Sequence, residues 1–168
     1  MIESHLGKTP RIDPEAYVHP SAVIIGAVSI AAQASVWPLS ALRGDEGTIE
    51  IGPRTSIQDG TVIHMTADEA DRTIIGAQVT VGHRALLHGC TIEDDCIIGM
   101  GCIILDGAVV ERGSIVGAGA LVPPGKIVRA GTVVVGNPCR SLRECTPADR
   151  AAIDHGWRAY VDRLPDYR

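Results

Sequence analysis

Three histidines, His64, His83 and His88, fall within a stretch of 25 residues. Neutral imidazoles are common ligands for zinc and similar metals. A lone histidine is ordinarily structural, whereas three in one short stretch point to a metal site. The plainer reading is a polar contact between chains. His5, His19 and His155 stand apart and read as surface or packing residues. Cys90, Cys96 and Cys102 are spaced by six, which suits small buried residues at repeat positions better than a thiol ligand set. Cys139 and Cys145 carry no pairing signal. No Gly-x-x-x-x-Gly-Lys-Ser/Thr string is present, so the glycines form no phosphate loop.

Whether three imidazoles can meet depends on the elements that carry them. An aliphatic residue recurs every six positions: Val18, Ile24, Ile30, Val36 and Leu42; then Ile51, Ile57 and Ile63; then Ile75, Val81 and Leu87; then every sixth residue from Ile92 to Val134. A period of six fits neither a helix nor an alternating strand. It fits a short strand plus a corner, repeated, with three units closing a triangular coil. The corners need tight turns, which accounts for the density of Gly and Pro. Coils stack at about 4.8 Å, the spacing of paired strands.

The register breaks three times. Leu42 to Ile51 is nine residues, so the segment Arg43-Gly44-Asp45-Glu46-Gly47 carries an excursion. Ile63 to Ile75 is twelve, with an acidic stretch from Ala67 to Arg72. Leu87 to Ile92 is one residue short. The three histidines lie beside these breaks. If the acidic stretch is a loop outside the count, Leu87 returns to the face of Ile63 one coil further on. His64 and His88 are then stacked neighbours, placed as two ligands of one metal. His83 belongs to the preceding face, around a corner. A threefold oligomer resolves this, because a neighbouring chain's His83 can enter the cleft between chains. Three His with an open fourth position is an arrangement of catalytic zinc.

After Gly136-Asn137-Pro138 the repeat stops. Thr146-Pro147-Ala148-Asp149 reads as an N-cap, a first-turn proline and a capping acid. Ile153, Trp157, Tyr160, Val161 and Leu164 follow at helical spacing, with Gly156 as a weak point. The expectation is a β-helix domain over 1–140 and a helix within 141–168 packed along it.

Composition narrows the classes. The chain has 168 residues, no Phe, 3% aromatics, 19 Gly and a net charge of −5. A core without large rings must be built from Val, Ile, Leu and Ala. The acidic balance argues against nucleic acid as a partner. Ala16 to Leu42 lacks charged residues, yet Pro20, Pro38, Gly26 and His19 make it a poor membrane span. The N-terminus lacks a signal-peptide pattern and the cysteines are odd in number, so a cytoplasmic protein with reduced thiols is expected.

The repeat resembles the hexapeptide-repeat, left-handed parallel β-helix fold, an all-β class; the hand comes from that resemblance. More specifically, Arg43-Gly44-Asp45, Gln58-Asp59-Gly60 with His64, and Gly82-His83-Arg84-Ala85-Leu86-Leu87-His88-Gly89-Cys90 resemble the γ-class carbonic anhydrase family. Ile98-Gly99-Met100-Gly101 and Gly136-Asn137-Pro138 extend the likeness over nearly the whole chain. The resemblance implies a homotrimer with Zn2+, or Fe2+ or Co2+, at each subunit interface, held by His64, His83 and His88. It implies that Gln58 hydrogen-bonds a metal-bound hydroxide. It also implies that Arg43 and Asp59 form an ion pair across the interface with Asp45 beside it, and that Tyr160 reaches the site. The implied reaction is reversible hydration of carbon dioxide to bicarbonate. Asp68, Glu69, Asp71 and Glu46 are the nearby carboxylates available to export protons. The resemblance supports the site more strongly than the reaction. An acyl-CoA thioesterase or acyltransferase of the same fold, or a non-catalytic metal-stabilised trimeric scaffold, are the alternatives.

Overall fold

The computed structural model describes residues 1–67 and 72–167. Two- to four-residue strands stack in parallel on three faces. The first face runs Tyr17–Val18, Ser35–Val36, Ser56–Ile57, Thr80–Val81, Ile97–Ile98, Ile115–Val116 and Thr132–Val135. The second includes Val62–His64, Leu86–His88, Ile103–Ile104 and Leu121–Val122. The third includes Arg72–Ile75, Thr91–Ile92, Val109–Val110 and Ile127–Val128. In the early coils, Val23–Ile30 and Ala41–Ile51 run on around the corner between the second and third faces.

The period-six aliphatics are the reason for this shape. Ile57, Val81, Ile98 and Val116 are wholly buried and stack one coil apart, as do Ile63, Leu87, Ile104 and Val122 on the next face. Every coil adds three such residues to one continuous core. Cys90, Cys96 and Cys102 lie in it as small buried residues. The glycine that follows many of these aliphatics has a steric cause. A Cβ on Gly52 would sit 2.5 Å from the carbonyl carbon of Gly76 in the next coil.

The breaks take different forms. The excursion at Arg43–Gly47 stays inside one extended strand, Ala41–Ile51. Its partner pairs Gly26 with Gly44 but Val28 with Ile49, so the extra residues form a bulge. The acidic stretch after His64 lies largely outside the described residues, with Asp68, Glu69 and Asp71 among those not described. The short step after Leu87 is a tight corner in which Gly89 has φ +53° and donates to the His64 carbonyl at 3.1 Å.

Past the last coil, Arg140–Glu144 turns back antiparallel along Thr132–Val135 and covers that sheet edge. This strand straddles the boundary expected at 140. The helix Pro147–Val161 follows, with Thr146 as N-cap in a capping box with Asp149. Ile153, Trp157 and Leu164 are buried. Gly156 faces the first sheet so closely that a Cβ there would lie 2.9 Å from Thr80 Oγ1. No helix among the described residues is long and apolar enough to cross a membrane.

Candidate metal centre

Ile63 and Leu87 point inward, so the residues after them, His64 and His88, arrive at the corner. The two histidines are in register on adjacent strands. His64 Nδ1 lies 3.3 Å from His88 Nε2. The outer nitrogens meet carboxylates: His64 Nε2 is 3.0 Å from Asp45 Oδ1, and His88 Nδ1 is 2.6 Å from Asp106 Oδ1. An ionised carboxylate only accepts, so each outer nitrogen carries the proton. The tautomers assigned by these partners leave two bare lone pairs facing each other. That is an unfavourable pairing unless a cation lies between them. Two nitrogens bound tetrahedrally to zinc at about 2.0–2.1 Å stand about 3.3 Å apart. The donor set therefore fits a metal.

The surroundings hold this arrangement. The side chains of His64, His88, Asp45 and Asp106 are 14%, 24%, 19% and 23% exposed. Thr73 Oγ1 donates to the His64 carbonyl at 2.8 Å. Arg43 Nη1 is 2.5 Å from Asp45 Oδ2. Burial raises the Asp45 carboxyl, but hydrogen bonds from Arg43 and His64 outweigh it and hold it at about 2.

His83 stands in the preceding corner, past Thr80–Val81. Its Nδ1 is 2.9 Å from Asp59 Oδ2, and both side chains are over 40% exposed. With Asp59 accepting a hydrogen bond from Nδ1–H, Nε2 is left with its lone pair. His83 and Asp59 line an open groove of about 600 Å³ with Arg84, Met100 and Gly101. Tyr160 belongs to this half. Its ring packs on Trp37 at 5.4 Å, and burial pushes its hydroxyl pKa up, opposed by Arg163 and aided by Asp59. Gln58 is 5% exposed, with its backbone N–H on the Val81 carbonyl.

One chain thus carries two half-sites. His64 and His88 converge with Asp45 and Arg43, while His83 pairs with Asp59 elsewhere. Within the chain Arg43 and Asp59 have different partners. Among the described residues, no three His, Cys, Asp or Glu side chains are placed to hold a metal in the single chain. Glu46 is exposed in the bulge, whereas Asp68, Glu69 and Asp71 lie outside the described residues. The buried thiols are not rival nucleophiles, because burial pushes Cys90 and Cys96 up to about 12. Asp106 escaped the sequence reading. Its signal was its distance from His88, 18 residues or one full coil.

Residues 89–124 match the family described as bacterial transferase hexapeptide (six repeats). The chain is 45% identical over 157 residues to γ carbonic anhydrase 1, mitochondrial, of Arabidopsis thaliana, a match covering 91% of this chain and 57% of that protein. It therefore spans little more than half the length of that plant relative. It is 38% identical over 163 residues to protein YrdA of Escherichia coli, covering 94% of this chain and 89% of that one. Among solved structures, a hexapeptide transferase family protein from Anaplasma phagocytophilum superposes with a TM-score of 0.95 at 38% identity, covering 99% of this chain and 98% of that one. On its repeats, its histidines and these relatives, the chain belongs to the γ-carbonic-anhydrase-like family of hexapeptide-repeat proteins.

Proposed function

We propose that this chain assembles as a homotrimer that holds a divalent metal, zinc or alternatively iron or cobalt, between His64 and His88 of one chain and His83 of the next. We assign it the reversible hydration of carbon dioxide to bicarbonate. The observation that carries this reading is the 3.3 Å approach of His64 Nδ1 to His88 Nε2 with a carboxylate on the far nitrogen of each ring, an arrangement that turns a lone pair of each toward the other. A closed trimer supplies the third imidazole, which one chain cannot. The outward row Val62, Leu86 and Ile103, 44%, 38% and 38% exposed, runs beside His64 and His88 and suits cover by a second copy.

A metal here would act as a Lewis acid that brings the pKa of water to about 7, making a nucleophile available at neutral pH. The protein's own groups do the rest. Asp59 leaves His83 with a free Nε2. The Gln58 side chain orients the attacking oxygen by a hydrogen bond. Arg43, held by Asp45, offers a cation to the bicarbonate product. Proton export falls to surface carboxylates such as Glu46.

Stopped-flow hydration of carbon dioxide on protein of known metal content tests the assignment. Hydration that needs metal and vanishes in His83→Ala is expected. A fully metallated trimer without hydration would overturn it. The likeness to a hexapeptide transferase family structure supports a second reading, acyl transfer or thioester hydrolysis. Release of free thiol from acyl-CoA by a hydration-silent protein would favour that reading.

A further inference from the structure

We propose that Asp106 is a positioning residue for this site: it fixes which nitrogen His88 offers to a divalent metal. This rests on the metal reading above. Asp45, His64, His88 and Asp106 form one row, carboxylate–imidazole–imidazole–carboxylate, with successive contacts of 3.0, 3.3 and 2.6 Å. The row crosses neighbouring coils, so the solenoid's stacking sets its spacing. An imidazole has two nitrogens, and the proton on one leaves the lone pair on the other. Asp106, by holding the Nδ1 proton, turns the Nε2 lone pair toward His64.

The two carboxylates are not equivalent. Asp45 divides its charge between His64 and Arg43. Asp106 pairs with no Arg or Lys among the described residues, so its full charge faces His88. That makes it the stronger support for ligand basicity. Its backbone is fixed as well. The Asp106 carbonyl accepts from Gly125 N at 2.8 Å, and the next residue, Gly107, donates to the Gly89 carbonyl at 2.7 Å. The carboxylate is therefore aimed by the coil below and the coil above.

The rival account is a turn residue, since Asp before Gly is common at corners. Two measurements on the full-length chain separate them. In metal-free protein, ¹⁵N NMR reads the His88 tautomer. In metal uptake, competition with a chromophoric chelator reads Zn2+ affinity. The native chain should hold His88 as the Nδ1–H form. Asp106→Ala should shift it toward the Nε2–H form and weaken zinc about 10–100-fold, with the oligomer intact. Asp106→Asn should lie between, because its amide oxygen can still accept. A His88 tautomer that ignores both substitutions, or zinc affinity within about threefold of native in Asp106→Ala, overturns the inference. A native chain that takes up no zinc overturns the metal reading instead, so the two failures are told apart.

Discussion

At the scale of single residues, chemistry follows from which partner each polar atom has. Gln58 is nearly buried at the corner one coil below His83, and its proposed role is to orient the attacking oxygen rather than to bind metal. Gln58→Ala should therefore lower carbon dioxide hydration on the order of 100-fold while zinc per chain stays native. A parallel loss of zinc would instead make Gln58 part of the metal's support. The stacking of His64 on His88 was legible once the acidic stretch is set outside the count, because three steps of six through Ile75, Val81 and Leu87 then return to the face of Ile63. Asp106 was not. In the sequence Asp106-Gly107 looks like ordinary turn chemistry, and nothing local says that a carboxylate one coil away faces a histidine. Asp45 was noted only beside the Arg43–Asp59 pair, and its contact with His64 emerges only once the bulge is seen as extended strand.

At the scale of elements, the C-terminal helix shows local rules meeting tertiary packing. Gly to Ala inside a helix ordinarily gains up to about 1 kcal/mol. At Gly156 the added methyl would meet Thr80 Oγ1, a buried hydroxyl without a hydrogen-bond partner among the described residues. Gly156→Ala should lower Tm in thermal melts, and Thr80→Ala should rescue it. Equal melting temperatures for native and Gly156→Ala would refute the close approach. The cap is pH-sensitive. The Arg143 guanidinium, with the Thr146 hydroxyl and backbone N–H, holds the Asp149 carboxyl well below the usual carboxylate range. A depressed folded pKa means that the unfolded chain binds the proton first as pH falls. The stabilisation is thus complete above about pH 4 and is lost as pH drops toward the folded value. Asp149→Asn should melt below native at pH 7, with the gap closing on acidification. A gap independent of pH would contradict this. The helix and its capping box were readable from Thr146-Pro147-Ala148-Asp149. The strand Arg140–Glu144 was not, because all five of its residues are exposed and leave no apolar alternation to read.

At the scale of the whole molecule, the period of six is legible because each inward aliphatic meets its equivalents above and below, so one rule governs the entire core. The hand of the coil is different in kind, since spacing is blind to it. The chain's two half-sites carry the functional argument. A threefold assembly in which each interface takes His64 and His88 from one side and His83 from the other can be tested by complementation. His64→Ala and His83→Ala chains each spoil every site alone. When the two are unfolded, mixed in equal amounts and refolded together, random cyclic trimers should restore about a quarter of the interfaces. The measurement is zinc-dependent carbon dioxide hydration of that mixture. Two silent parents and a mixture with about a quarter of native activity are the expected result. A mixture as silent as its parents, or full activity in His83→Ala alone, would contradict a metal site shared between chains.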